Sequence, residues 1–129
     1  MKKKIFGKAN MNIAGTTFNG RQGKIWALRK AKSAFLTVRR DPNNKFDKNA
    51  VKVLAHITTT NNNKSVFEIG YIPKEKAEWV AKAMDDGKIV RISKYEVIGG
   101  GKASLGVKIT IAHKLFETEV TAPAVAPAE

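Results

Sequence analysis

The sequence predicts a mostly β domain with one or two helices, its short strands closing into a small barrel. Three observations carry this. Most apolar segments are short and alternate with polar residues, the period of a half-buried strand. Clusters of Gly, Asn, Asp and Pro punctuate them, as turns require. Only one segment, residues 73–87, repeats its apolar residues at helical spacing. A twisted sheet of five or six strands protects its edges by closing on itself. A chain of 129 residues has room for one such domain.

The elements follow in order. Residues 1–11, with Lys2, Lys3, Lys4 and Lys8, read as a basic flexible arm. Residues 12–18 (NIAGTTF) read as a first strand, and Gly20 and Gly23 as a turn. A basic connector with Trp26 and Leu28 has room for a helical turn over residues 27–32. Residues 34–40 alternate Phe35, Thr37 and Arg39 with Leu36, Val38 and Arg40, a strand. Residues 41–50 are dense in Asp, Asn and Pro, whose ring and side-chain bonds favour turns. Residues 50–60 place Val51, Val53, Ala55 and Ile57 on one strand face. Residues 66–72 return after Asn61, Asn62 and Asn63, so the two strands pair as a hairpin. Pro73 suits a first helical position, where its missing N–H costs nothing. Ala77, Val80, Ala81 and Met84 form an apolar stripe, and Gly87 ends the helix. Residues 88–98 and 105–112 read as two further strands across Gly99, Gly100 and Gly101. The domain therefore spans residues 12–116, and the Ala/Pro-rich residues 117–129 read as a disordered tail.

Charge is the strongest functional signal. The formal net charge is +13. Residues 1–40 hold eleven Lys and Arg and no Asp or Glu, while residues 41–129 are nearly balanced. So lopsided a field attracts a polyanion and makes its binding salt-sensitive. A basic surface kept for solubility, or one that meets a membrane surface, is the alternative. The absence of cysteine excludes disulfides, thiolate metal sites and a cysteine nucleophile. His56 and His113 lack metal-ligand spacing, and no helix follows the glycines at 99–101 to make a phosphate loop. No enzyme activity, cofactor or metal is expected. No apolar run approaches the roughly 18 residues that span a bilayer. The basic start is not followed by an apolar segment, so a cytoplasmic, nucleoid-associated protein is expected.

Three ordered segments resemble the HIRAN domain family: residues 13–18 (IAGTTF), 39–53 (RRDPNNKFDKNAVKV) and 69–75 (IGYIPKE). The resemblance covers roughly residues 12–112. It implies an OB-like or SH3-like six-stranded barrel with packed helices. It also implies a pocket that grips the free 3′-hydroxyl end of single-stranded DNA, in repair, replication or remodelling. The chain has no GxxxxGK[ST] loop, so any helicase or nuclease step falls to a separate protein.

An end pocket needs aromatic faces for bases, donors for phosphates and an acceptor for the terminal hydroxyl. By the resemblance, Phe18 and Phe46 stack bases and Asp47 accepts from the 3′-hydroxyl. A carboxylate there only accepts, and it repels a 3′-phosphate. Tyr71 falls at the pocket edge and Lys74 near a phosphate, beside a helix N-terminus. Thr17 stands where the family carries a basic residue, a departure that leaves Arg21, Lys24, Arg39 or Arg40 as the candidates to supply the charge, with no choice among them made by the sequence. The plainer readings stay open: Phe18 and Phe46 as core aromatics, and Asp47 as an Asx-turn former. Two rival functions also remain, a sequence-independent binder of single-stranded DNA or RNA and a protein-interaction adaptor.

Overall fold

The computed structural model describes residues 5–116, and the side chains of residues 7–113. Among the described residues there are six strands and two helices, but the strands form two three-stranded antiparallel sheets and not a closed barrel. The first sheet contains β1 (Ile5–Asn12), β5 (Val90–Gly100) and β6 (Ala103–Phe116), in the order β1-β6-β5. The second contains β2 (Ser33–Arg40), β3 (Val51–Thr58) and β4 (Lys64–Tyr71) in chain order. Helix α1 (Arg21–Lys30) joins the sheets, and α2 (Lys74–Asp85) links β4 to β5.

Strand β3 shows why the chain folds this way. Val51, Val53, Ala55 and Ile57 are buried while the residues between them are half-buried, the period of two that the sequence carries. They enter one core with Ile25 and Leu28 of α1, Val80 of α2, and Val107, Ile109 and Ile111 of β6. Each Val, Leu or Ile side chain among them contributes about 1.5–3 kcal/mol on burial.

Helix α2 matches its prediction closely. Ala77, Val80 and Ala81 are buried and Met84 packs against the core. Pro73 sits one residue before the helix and accepts the N–H groups of Lys76 and Ala77 through its carbonyl, at 2.8 and 2.9 Å. Gly87 takes a φ of 78°, which lets its N–H reach the Met84 carbonyl and the Lys88 N–H reach that of Ala83.

The N-terminal third differs from expectation. Residues 5–11 are not an arm but most of β1, paired with β6. Ladder bonds come from the backbone, and alternation turns Lys8 outward while Ala9 packs on the core. Residues 1–4 and the tail at 117–129 lie outside the described residues. Of the strand expected over residues 12–18, Asn12 ends β1, and residues 13–18 form a loop with a single bridge at Ala14. Helix α1 begins at Arg21 and includes Gly23, which is therefore not a turn residue. Its buried stripe is Arg21, Ile25 and Leu28, and an arginine at its head hides the apolar period.

The two sheets are stitched at one point. Ile13 still donates to Val107 of β6, at 2.9 Å, but Ala14 exchanges both backbone bonds with Tyr71 of β4, at 2.8 and 2.9 Å. Gly70 makes this crossing possible, because a Cβ there would overlap Ile13 and the Ala14 carbonyl. Among the described residues, no helix is long and apolar enough to cross a membrane.

Candidate nucleic-acid interface

Beside the stitch lies an open cleft of about 700 Å³. Residues 13–20 form one wall and residues 41–50 another, with Tyr71 and the first turn of α2 between them. It is the size of a small-ligand site and mostly apolar, with a few convergent polar groups.

The 41–50 wall is wired by its own side chains. Asn44 Oδ1 accepts the N–H groups of Phe46 (2.8 Å) and Asp47 (3.1 Å). Asp47 Oδ1 accepts the Asn49 N–H at 2.9 Å, an Asx turn. Asn44 Nδ2 donates to Asp41 Oδ2 at 3.1 Å, and the Tyr71 hydroxyl donates to the same oxygen at 3.0 Å. The bond from Asn44, aided by the one from Tyr71, holds the Asp41 carboxyl below its ordinary range. Burial, with the bond to Asp41, pushes the Tyr71 phenol up. These bonds leave the Phe46 ring 91% exposed and Asp47 Oδ2 without a hydrogen bond among the described residues.

The 13–20 wall is pinned from outside. Gly15 and Gly20 take φ near +70°, and Asn19 57°, turning the chain into α1. Arg21, only 5% exposed, donates to the Gly15 carbonyl (2.9 Å) and to Glu68 Oε1 (3.0 Å), with its guanidinium 5.4 Å from the Tyr71 ring centre. Gln22 ties Thr16 to Leu105 of β6, donating to both carbonyls and accepting the Leu105 N–H. Phe18 is left 66% exposed on the rim. Glu68 also pairs with Lys52, at 2.9 Å. Burial opposes its ionisation, but the bonds from Lys52 and Arg21 win and hold its carboxyl low.

The HIRAN domain family matches residues 6–115, nearly the whole described chain. The chain belongs to the HIRAN family. HIRAN domains are in general DNA-binding modules, so nucleic acid is the partner class that membership implies. No curated protein and no solved structure matches the chain.

Within this HIRAN domain, Phe18, Arg21, Phe46, Asp47, Tyr71 and Lys74 line one cleft, as a common site requires. Neither phenylalanine is a core residue. Lys74 is exposed at the start of α2, where the helix dipole adds to its charge. Thr17, Arg39 and Arg40 do not line the cleft. Thr17 is exposed in its loop. Arg39 is exposed on β2 beside Lys52, on the opposite face from the buried Leu36. Arg40 is committed elsewhere: it bonds the carbonyls of Ala50 (2.7 Å) and Lys48 (3.1 Å) and pairs with Asp85 at the end of α2 (3.0 Å). It ties loop 41–50 to α2. Arg21 lines the cleft with its guanidinium already engaged.

Sequence reasoning did not single out Asp41, Gln22 or Glu68, which hold the walls in place. The Asp-Pro-Asn-Asn run signals the first of them as turn chemistry. For Gln22 and Glu68 no local signal exists, because their partners lie 83 and 47 residues away.

Proposed function

We propose that this HIRAN domain is a non-catalytic module that takes the free 3′-hydroxyl end of single-stranded DNA into the cleft, serving repair, replication or remodelling beside a separate helicase or nuclease. One observation carries the reading: two largely exposed phenylalanines flank a carboxylate with an unengaged oxygen in one cleft. Exposed aromatic rings on ordered loops offer stacking faces, each worth about 1–3 kcal/mol to a base. Asp47 Oδ2 is an acceptor for a terminal hydroxyl and a like charge against a terminal phosphate. Lys74 and the α2 N-terminus supply positive potential for the adjoining phosphate.

The test compares short labelled DNAs by fluorescence anisotropy at about 0.1 M salt: free 3′-hydroxyl, 3′-phosphate and circular. End recognition predicts preference for the first, and Asp47→Ala should narrow its margin over the 3′-phosphate. Equal binding to all three selects a sequence-independent binder. That second reading draws on Arg21 being tied inside the protein, which leaves Lys74 as the one Lys or Arg lining the cleft that makes no hydrogen bond or ion pair among the described residues.

A further inference from the structure

Helix α1 leads away from the cleft and carries a feature the end pocket does not use. Trp26 is 45% exposed on its outer side. Two cations flank the ring, Lys30 Nζ at 5.1 Å and the Arg29 guanidinium at 5.9 Å from its centre. Arg29 is fixed in place by bonds to the Val97 and Gly99 carbonyls of β5, at 3.1 and 3.3 Å. The helix contains Arg21, Lys24, Arg29 and Lys30 and no acidic residue.

Gly23 is the second observation. Glycine inside a helix costs about 1 kcal/mol relative to alanine. Nothing in the fold requires it: its φ is not positive, and a Cβ there would meet nothing within 4 Å. What it does is strip the helix surface one turn before Trp26, so that a chain can lie close to the backbone beside the indole. Gly23, Trp26 and Lys30 are all exposed and spaced as one stripe of α1, and Asn19, on the cleft rim, lies in the turn that leads into that helix.

We infer that this stripe is a second stacking station for the same single strand, with the Trp26 ring taking a base and Lys30 and Arg29 holding the phosphates around it. The inference rests on the end-binding reading for the position of the first nucleotide. Its occupant is the nucleic-acid strand because the surface is cationic, aromatic and continuous with the cleft. A rise of 1.5 Å per residue puts Trp26 about 7.5 Å along the helix from Arg21. At about 3.4 Å per stacked nucleotide, that length from the cleft-lining Arg21 spans about two nucleotides.

The experiment measures affinity for oligothymidylates of three, six and nine nucleotides with free 3′ ends, using the full chain. Trp26→Ala should bind the trimer like the parent and lose roughly tenfold for the nonamer, the value of one good base stack; Trp26→Phe should keep most of the gain. Phe46→Ala should weaken all three lengths. Identical length dependence in Trp26→Ala and the parent would overturn the station while leaving the end pocket intact. If Phe46→Ala changes nothing, the end pocket fails and the station is judged on fluorescence. In a Trp79→Phe background, Trp26 emission should be quenched by the nonamer, and absence of quenching overturns the inference.

Discussion

Loop 13–20 and loop 41–50 do the same thing by opposite means. Each presents one exposed phenylalanine to the cleft. Loop 41–50 is shaped largely by bonds among its own residues, Asp41, Asn44, Asp47 and Asn49. Loop 13–20 is shaped by residues that reach it from elsewhere: Arg21 and Gln22 from α1, Tyr71 from β4 and Val107 from β6. A self-wired loop keeps its geometry wherever it is anchored. An externally pinned loop depends on the whole domain, so damage to its pins should cost stability before it costs binding.

The largest expected effect tests that dependence. Arg21→Ala leaves the Gly15 carbonyl with the longer bond from the Phe18 N–H alone, at 3.3 Å, and Glu68 with Lys52 as its remaining ion-pair partner. Removing one member of a buried pair costs about 3–5 kcal/mol, and urea denaturation should show a loss near the low end because Glu68 is a third exposed. If stability is unchanged, loop 13–20 is not held from outside. Next in size is Phe46→Ala. An exposed ring contributes under about 0.5 kcal/mol to folding, so the midpoint should hold while DNA affinity drops by about 1–3 kcal/mol. Equal losses for Phe18→Ala would show the two loops to be energetically equivalent as stacking faces.

Asn44→Ala removes the acceptor for two backbone N–H groups and should cost about 1–2 kcal/mol. Its signature is local: amide exchange should quicken at Phe46 and Asp47 and remain slow in loop 13–20. Acid gives the smallest effect and reaches both loops. The carboxyls of Asp41 and Glu68 are held low in the fold. Their stabilisation is therefore present above the unfolded carboxylate range and is lost as pH falls through their folded values. Both loops should loosen below about pH 4, followed by amide exchange at Phe46 and Phe18. Loosening of one loop alone would show that its carboxylate is the one that matters.

The same contrast explains what the sequence reveals. Loop 41–50 was legible because Pro, Asn and Asp carry turn chemistry in their own side chains. Residues 12–18 read as a strand because Ile13, Thr16, Thr17 and Phe18 favour strands locally; the Arg21 and Gln22 side chains and the distant backbone of Tyr71 and Val107 hold residues 13–20 as a loop instead. Helix α2 was legible from its stripe, whereas α1 hides its own behind Arg21 and Gly23. Strands β2 to β6 were legible as segments, whereas β1 read as an arm because its ladder is made by backbone groups and its own side chains carry no clear alternation. The partition of the strands into two sheets was not legible, since it turns on one crossing at Ala14 and on the missing Cβ of Gly70.

That crossing has a mechanical consequence. Among the described residues, the Ala14–Tyr71 rung is the one backbone ladder contact between the two sheets, and the cleft opens directly beside it. The cleft is thus a seam between two halves of the molecule, with Phe18 on the lip nearer the first sheet and Phe46 on the lip nearer the second. A strand gripped by both rings acts as a suture across that seam. Occupancy would be felt as stiffening of the whole domain, reported by slower exchange at the Ala14 and Tyr71 amides, although neither residue need move when the strand arrives.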